Sequence, residues 1–237
     1  KGFLCMNQYD MPTRILPGID DGAKDLQDAL QLVKKLQSDG VTHIALTPHF
    51  YSDRESLSDF LTRREQAYNV LLQAPVQGVT YILASEAYIT DYIFNNSSLL
   101  PLCYSGTGYL LVEFPYSIDF AARGGDMLYK LMNNYGVHPV IAHIERYYSL
   151  MKGPALISEL QQMGCKMQIN LGSLSFFSRR RKLLGLIKRN LVDLVGTDTH
   201  SLARGADFST GMGIISKKLG NDYIDTIQKN SKSVILS

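Results

Sequence analysis

Short apolar runs rich in β-branched residues recur along the chain and are typical of buried strands. They lie at residues 43–48, 78–88, 108–115, 138–147, 165–173 and 191–198. A further short strand is expected before the turn that contains Pro17 and Gly18, and Asp20 or Asp21 is expected to cap the helix that follows this turn. The apolar pattern therefore predicts a series of short strands spread over nearly the whole chain.

Segments with helical spacing separate these strands. Residues 23–39 show it best, because their apolar side chains recur every three or four positions. Similar patterns cover residues 56–73, 125–135, 154–163 and 178–190. About six alternations of strand and helix indicate an α/β protein with a parallel sheet, and at this number a closed or nearly closed barrel is favoured over an open doubly wound sheet. No glycine-rich nucleotide-binding motif follows a strand, so a Rossmann or P-loop fold finds no support.

Length and composition narrow the choice of partners. The 237 residues contain no repeat and no Pro/Gly/Ser-rich linker, which predicts one domain over residues 1–237. Lys and Arg number 24 against 22 Asp and Glu, so the totals indicate neither a nucleic-acid partner nor an acidic-membrane partner. The chain begins with Lys1 rather than Met, and we expect a natural segment upstream.

Cysteine usage and hydropathy predict a soluble cytoplasmic protein. Cys5, Cys103 and Cys165 are isolated and odd in number, which argues against a disulfide framework and suits a reducing compartment. No apolar run approaches the roughly 18 to 20 residues of a membrane span. Residues 1–10 lack the apolar centre of a signal peptide. We therefore expect no membrane insertion.

Imidazoles and carboxylates stand at the ends of successive predicted strands. Carboxyl ends of parallel strands converge on one mouth of a barrel, so these side chains are expected to meet there. The set consists of His49, Glu86, Glu113, His143, Asp198 and His200. A single histidine after a strand is more often a structural residue, but Glu113 follows an apolar run and needs a compensating partner when buried. The shared position favours a metal or catalytic site.

The residue types in this set indicate a chemistry. Imidazoles and carboxylates without thiolates suit Mn, Fe or Zn, and carboxylates can bridge two ions. Sites of this composition typically hydrolyse phosphate esters. Arg146 and Arg204 follow on mouth-side loops and are candidates to bind phosphoryl oxygens, the alternative being surface arginines. Residues 178–182, SRRRK, are interpreted as a solvated helix start, with a basic rim for an acidic or phosphorylated peptide as the alternative.

Six segments together resemble a known family. ILPGIDDGAKD, TPHF, ASEAY, LVEFP, IAHIERY and GTDTH occur in this order over nearly the whole chain. They are similar to the PHP (polymerase and histidinol phosphatase) superfamily, and in particular to its bacterial protein-tyrosine phosphatases of capsular and exopolysaccharide synthesis. The resemblance implies a distorted (β/α)7 barrel with up to three metal ions, often Mn²⁺. It also implies dephosphorylation of the tyrosine-rich tail of a cognate bacterial tyrosine kinase, and weakly suggests homo-oligomers.

The resemblance also assigns roles by motif. It implies that Glu113 bridges two metal ions, that Asp198 is a ligand of the first metal ion and that His143 is a ligand of the second. Glu86 and His200 are implied at the third, with His49 as a further ligand. Arg146 matches the arginine of the HPERY motif, although Ile144 replaces the proline, and Arg204 matches the arginine after D-x-H only approximately.

One departure from the family decides how the site is interpreted. The family carries H-x-H directly before ILPGIDDG, whereas this chain has Pro12 and Arg14 at those two places. Neither side chain binds a metal, so we expect fewer than three metal ions per chain. The expected metal is Mn²⁺, with Fe, Zn or Mg as alternatives. We hypothesise that Arg14 points inward and pairs with Asp198 or Glu113, the alternative being an exposed strand-end residue. Pro12 predicts that the first strand is short or starts late.

Three functions remain open from the sequence. The first is a metal-dependent phosphatase on phosphotyrosine, impaired by the loss of the H-x-H ligands. The second is a pseudo-phosphatase that binds a phosphotyrosine tail with little or no turnover. The third is a phosphatase of small molecules such as histidinol phosphate, which LPGIDDGA and LVEFP disfavour.

Overall fold

Parallel strands form the centre of the molecule. The computed structural model describes residues 7–201 and 208–236. All strand pairs in it are parallel. In chain order the strands are β1 Tyr9–Thr13, β2 His43–Leu46, β3 His49–Tyr51, β4 Thr80–Leu83, β5 Glu86–Tyr88, β6 Tyr109–Glu113, β7 His138–Ile141, β8 Lys166–Asn170 and β9 Leu194–Gly196.

Helices connect these strands and cover them on the outside. They are α1 Leu26–Ser38, α2 Leu57–Leu72, α3 Arg123–Tyr135, α4 Tyr148–Lys152, α5 Pro154–Gln162, α6 Phe177–Lys188, α7 Phe208–Leu219 and α8 Asn221–Leu236. Short 3-10 turns follow several strands at the mouth, including Leu171–Ser175 after β8. No helix within the described residues is both long enough and apolar enough to cross a bilayer.

Two of the barrel strands are interrupted near their middle. β2 continues into β3 after two residues, and β4 continues into β5 in the same way. Main-chain hydrogen bonds cross both interruptions, from Ala84 N–H to the Leu46 carbonyl at 2.9 Å and from Glu86 N–H to the Pro48 carbonyl at 2.9 Å. Counting β2 with β3 and β4 with β5, the described residues form seven consecutive strands.

The seven strands close on themselves between β9 and β1. Asp198 N–H donates to the Pro12 carbonyl at 3.0 Å, and Arg14 N–H donates to the Thr199 carbonyl at 3.0 Å. A Cβ on Gly196 would lie 2.3 Å from the Met11 carbonyl carbon, so only glycine permits this approach of the two backbones. The predicted distorted (β/α)7 barrel is confirmed.

The core has an inner and an outer part, and β6 shows why. Successive side chains of a strand point to opposite faces. Leu110 and Val112 join the outer core under the helices, whereas Leu111 belongs to the smaller cluster inside the barrel. Glu113 lies two residues beyond Leu111, so it points inward as well. Strand alternation thus places this carboxylate inside the mouth.

The expectation for Pro12 is wrong. β1 begins at Tyr9 and runs through the proline to Thr13, so it is neither short nor late. The register of β1 against β2 shifts between Asp10 and Thr13, where Pro12 lacks the N–H for a regular ladder. The strand tolerates the proline because the irregularity is local and both flanking residues remain paired.

Helix α1 begins later than the turn at Pro17 and Gly18 indicates. Asp25 is its N-cap, and the Asp25 side chain accepts the Asp28 N–H at 2.9 Å. The sequence had suggested Asp20 or Asp21 for this role. Asp20 is used elsewhere, at the mouth, as described below.

The two C-terminal helices were not predicted. In α8 the buried side chains recur at helical spacing, at Ile224, Ile227, Ser231 and Val234. This periodicity was available in the sequence and would have identified the helix. α7 and α8 pack against each other, and α8 also contacts β1 and β9.

Candidate active site

The structure brings the candidate residues from successive strands to one mouth. Glu113 ends β6, while His49 and Glu86 begin β3 and β5. His143 follows β7, and Asp198 follows β9 by two residues. His143 and Asp198 both adopt left-handed backbone angles, with φ of 35° and 52°. Such angles are uncommon for non-glycine residues and turn both side chains at the point where their strands end.

Arg14 lies inside this mouth rather than at its surface. Only 2% of the residue is exposed. Its guanidinium donates through Nη2 to the Glu86 carboxylate and through Nη1 to the Thr47 carbonyl oxygen. Nε lies 3.6 Å from Asp198 Oδ1, and Nη1 lies 3.9 Å from Asp20 Oδ2. The guanidinium therefore stands among three carboxylates.

The hypothesis for Arg14 is right about direction and partly right about partners. The side chain points inward, and Asp198 lies within ion-pair distance as expected. Glu113 is not among the carboxylates within 4 Å of it, and its main partner is Glu86. A Cβ on Gly22 would lie 2.0 Å from the Arg14 carbonyl oxygen, so the turn before α1 packs closely against the Arg14 backbone.

Glu86 is fully buried between the guanidinium of Arg14 and the imidazole of His143. Its other oxygen lies 3.1 Å from His143 Nε2. Burial alone would raise the pKa of Glu86, but the charge of Arg14 and the hydrogen bond from His143 outweigh it and hold this pKa far below its usual range. The same contact to Glu86 outweighs burial at His143 and raises the pKa of that imidazole. Glu86 is therefore a compensated carboxylate.

Glu113 has weaker partners than Glu86. His143 Nε2 lies 3.4 Å from it, His49 Nδ1 lies 3.8 Å away, and Arg146 Nη1 also lies 3.8 Å away. Burial, followed by the nearby charge of Glu86, raises the pKa of the Glu113 carboxyl. The Glu113 side of the mouth thus has an incompletely compensated acidic group.

His49 faces Glu113 with an unused ring nitrogen. Its Nδ1 is buried and has no hydrogen-bond partner among the described residues. Its backbone N–H donates to Asp20 Oδ2 at 3.1 Å, which fixes the start of β3. Burial, followed by the charge of Arg14, lowers the pKa of His49 to about 4. The imidazole is therefore neutral near pH 7, which is the form that ligates metals.

Asp198 lies at the junction of Arg14 with Arg146. Its Oδ2 accepts hydrogen bonds from Asn170 Nδ2 at 2.8 Å and from Arg146 Nη2 at 3.1 Å. Its Oδ1 is buried and has no hydrogen-bond partner in the described part of the chain, although Arg14 Nε faces it. Arg146 also reaches Tyr116 Oη at 3.4 Å and keeps about a third of its side chain exposed.

The last predicted residues are less closely joined to the cluster. His200 Nδ1 lies 2.6 Å from the Asp198 carbonyl oxygen, and its Nε2 lies 3.6 Å from Asp21 Oδ2. It has no contact of ion-pair or hydrogen-bond length with Glu86, the residue expected to share an ion with it. Arg204 lies outside the described residues.

Sequence reasoning missed two residues of the mouth. Asn170 ends β8 and binds Asp198, and the rule of strand ends would have found it. Asp20 was interpreted as a helix cap, but it accepts the N–H groups of Gly22 and His49 and lies near Arg14. No local pattern marks this use of Asp20, because its partners come from distant segments.

Comparison with known families decides the relationship. Residues 8–237 match the family described as "Capsular polysaccharide synthesis, CpsB/CapC". The chain belongs to the CpsB/CapC family. The resemblance that the six motifs carried is thereby confirmed.

Curated CpsB/CapC relatives match along nearly their whole length. A putative tyrosine-protein phosphatase CapC of Staphylococcus aureus is 30% identical, with 95% of this chain and 90% of that protein covered. The tyrosine-protein phosphatase YwqE of Bacillus subtilis is 26% identical over 95% and 91%. The tyrosine-protein phosphatase CpsB of Streptococcus pneumoniae is 29% identical over 89% and 90%.

Solved structures confirm the fold. A crystal structure from work on YwqE of Bacillus subtilis and CpsB of Streptococcus pneumoniae, described as unique metal-dependent tyrosine phosphatases, has a TM-score of 0.82 and 23% identity, covering 97% of this chain and 94% of that one. A phosphotriesterase homology protein of Escherichia coli with phosphate in its active site has a TM-score of 0.56 and 12% identity, covering 96% and 97%. At these identities the likeness concerns the fold.

Among the described residues of this CpsB/CapC chain, those that fit a metal ion lie on one side of the mouth. His49, Glu86 and Glu113 each offer a ligand atom, and these three atoms lie within 4.8 Å of one another. The unpartnered His49 Nδ1 is a donor of the type that Mn, Fe and Zn accept. On the other side, between Glu86 and Asp198, the guanidinium of Arg14 is the cation. That side does not fit a metal ion.

Proposed function

We propose that this chain is a metal-dependent phosphatase of phosphotyrosine, with activity reduced because Pro12 and Arg14 stand in place of the two H-x-H ligands. One observation carries the choice of substrate. A cleft of about 250 Å³ opens beside Glu113 and is lined by Tyr51, Arg54, Tyr88, Phe114 and Tyr116. The names of the curated relatives support the same reaction.

The cleft suits a phenyl ring. The rings of Tyr51 and Tyr88 lie 5.4 Å apart and are tilted by 46°, and the Arg54 guanidinium lies 4.2 Å over the Tyr51 ring. Aromatic walls of this kind favour a flat aromatic group. A phosphoserine side chain has no ring to stack against these walls. The geometry therefore supports phosphotyrosine over aliphatic phosphate esters.

His49, Glu86 and Glu113 would hold the metal ion, for which Mn²⁺ is our choice ahead of Fe, Zn or Mg. When bound, the ion supplies Lewis-acid polarisation of the phosphoryl group and activation of water. We expect one such ion, and in any case fewer than three per chain.

The protein's own groups bind and orient the phosphoryl group. Arg146 lies 3.1 Å from Asp198 and 3.8 Å from Glu113 and keeps about a third of its side chain exposed, which supports a role in binding phosphoryl oxygens. His143 holds a proton at Nε2 and donates it in the hydrogen bond to Glu86, which keeps that carboxylate ionised. Arg204 is proposed as a second phosphoryl-binding arginine.

The biological setting extends the proposal. The substrate is the phosphotyrosine tail of a bacterial tyrosine kinase that regulates capsular or exopolysaccharide synthesis. The reaction takes place in the cytoplasm. We also keep two predictions, namely that residues 1–237 form a single domain and that this domain assembles into homo-oligomers.

An assay of phosphotyrosine-peptide hydrolysis with Mn²⁺ tests the role of Arg14. The Pro12→His, Arg14→His double variant is expected to gain on the order of a hundredfold in kcat, because two imidazoles replace a fixed cation with metal ligands. The matched control is Pro12→Ala, Arg14→Gln, which removes the cation without adding ligands and is expected to gain nothing. Equal rates for the native protein and the double histidine variant would contradict the proposal.

A second substitution tests the cleft. Tyr88→Leu is expected to raise KM for a phosphotyrosine peptide about tenfold, since one stacking wall is lost, while kcat changes little. Tyr92→Leu is the control, because Tyr92 is exposed and lies outside this cleft. An equal rise in KM for both variants would show that this cleft does not bind the phosphotyrosine ring.

The Arg14–Glu86 ion pair favours a second candidate function, a pseudo-phosphatase that binds the phosphotyrosine tail. Calorimetry with a phosphotyrosine peptide separates the two, because this candidate predicts binding together with hydrolysis no faster than that of a Glu113→Gln variant. Histidinol phosphate assayed in parallel tests the small-molecule alternative, which the aromatic cleft disfavours.

A further inference from the structure

An aromatic pair is largely exposed to solvent on the mouth side of the barrel. Phe176 is 61% exposed and Phe177 is 87% exposed, the highest value for a large apolar side chain among the described residues. Both follow the 3-10 turn Leu171–Ser175, which begins where β8 ends at Asn170. The Arg179 guanidinium lies 5.9 Å from the centre of the Phe176 ring, and the rest of the pair forms an exposed apolar patch of the kind that marks a contact surface.

Basic residues surround this pair. Arg179, Arg181 and Lys182 are exposed on the first turns of α6, directly after Phe177. None of them forms an ion pair with a carboxylate within residues 7–201 and 208–236. No Asp or Glu occurs between Glu159 and Asp193, although the whole chain is nearly neutral at +2. The positive charge is therefore concentrated on this one segment.

The face of α6 also contains a basic hollow. A cavity of about 410 Å³ is lined by Ser178, Arg181, Lys182 and Arg189 together with apolar groups. Phe177 and Arg181 are four residues apart, so their side chains lie on the same stripe of the helix. The protruding ring and the hollow thus belong to one continuous surface.

We propose that Phe176, Phe177 and the basic face of α6 form a peripheral docking surface for an anionic phospholipid membrane. The hollow would bind phosphate headgroups, and the two rings would enter the interface between headgroups and acyl chains. This is contact from one side, not a membrane span.

Shape and charge select this occupant over a protein partner. An acidic peptide can pair with the basic hollow, but it leaves in water a protruding ring that is 87% exposed. A soft lipid interface accepts a protruding ring. A second copy of the chain would bring the same positive face, and like charges placed opposite each other oppose such a dimer. An anionic membrane is complementary in both respects.

Vesicle sedimentation tests the proposal with the full chain. We expect binding to vesicles of phosphatidylcholine with 30% phosphatidylglycerol, and none to phosphatidylcholine alone. Arg181→Glu, Lys182→Glu is expected to weaken binding by about tenfold or more. The matched control is Lys217→Glu, Lys218→Glu on α7, which makes the same change in net charge at exposed positions and is expected to bind within about twofold of the native protein.

Fluorescence reports on the aromatic pair, because the chain contains no Trp. Phe177→Trp is expected to show a blue shift with anionic vesicles, while Tyr129→Trp, at an exposed site on α3, is expected to show none. Circular dichroism confirms that each variant is folded. The proposal is overturned by absent or equal binding to both vesicle types, by equal loss in the control variant, or by a shift caused by a phosphotyrosine or poly-glutamate peptide in place of vesicles.

Discussion

The two sides of the candidate active site differ in how their negative charge is compensated. On one side Arg14 donates to Glu86 and faces Asp198, so a fixed cation of the protein neutralises the carboxylates. On the other side, the cationic or imidazole partners of the Glu113 carboxylate among the described residues are His143, His49 and Arg146, at 3.4 to 3.8 Å. The first side is neutralised mainly by the protein's own cation, whereas the second retains a carboxylate that a bound cation would compensate. One barrel mouth can therefore combine an internal ion pair with a ligand site.

The largest effect is expected when the internal cation is removed. Arg14→Met leaves the carboxylate of Glu86 buried without its partner, and breaking such a pair costs about 3 to 5 kcal/mol of unfolding free energy. Denaturant unfolding in metal-free buffer measures it. Arg54→Met, which removes an exposed arginine, is expected to cost less than about 1 kcal/mol. Similar values for the two variants would show that the Arg14 pair does not stabilise the fold.

A buried carboxylate that has no cationic partner is expected to have its pKa raised, whereas the pKa of Glu86 is lowered. Asp10 is fully buried, and both of its oxygens accept hydrogen bonds from Thr197 at 2.6 Å. Burial, which outweighs these hydrogen bonds, raises the pKa of Asp10 to about 7. The pKa of Asp10 is thus about 7 in the folded state and about 4 in the unfolded state. The protonated carboxyl stabilises the folded state below pH 4, and this stabilisation is lost as the pH rises from about 4 to 7.

Asp10→Asn isolates this contribution. The expected slope from Asp10 is about 1.4 kcal/mol per pH unit below pH 7, or nearly 3 kcal/mol between pH 5 and 7. Asparagine does not titrate and can keep one oxygen for the Thr197 N–H. Unfolding free energies at several pH values are expected to fall less steeply for the variant than for the native protein. Parallel curves would place the pKa of Asp10 in its ordinary range.

The smallest effect on stability is expected from metal binding at the Glu113 side of the mouth. Mn²⁺ at ten times its dissociation constant is expected to stabilise the native chain by about 1.4 kcal/mol, since it binds the folded state. His49→Ala is expected to abolish this gain because it removes a ligand. His138→Ala is the control, since His138 begins β7 at the other end of the barrel. Stabilisation that survives in His49→Ala would move the ion elsewhere.

Local patterns predicted most elements and their order. Strand and helix alternation led to the barrel, and the rule of strand ends led to His49, Glu86, Glu113, His143 and Asp198, which the structure brings to one mouth. The rule works because parallel strands all end at the same side of a barrel. The interruption between β4 and β5 was not predicted, since a two-residue break leaves the apolar run over residues 78–88 almost unchanged. β3 lies beyond the predicted run over residues 43–48 and was not predicted.

The sequence by itself determined that a cation stands directly before ILPGIDDG, because the identity of Arg14 and its place in the chain are local facts. Only the tertiary structure decided which carboxylate Arg14 would bind. Glu86 lies 72 residues away, and the closure of β9 against β1 and the alignment of β3 with β5 bring these groups together. Such pairings depend on strand register and barrel closure, which no local pattern encodes.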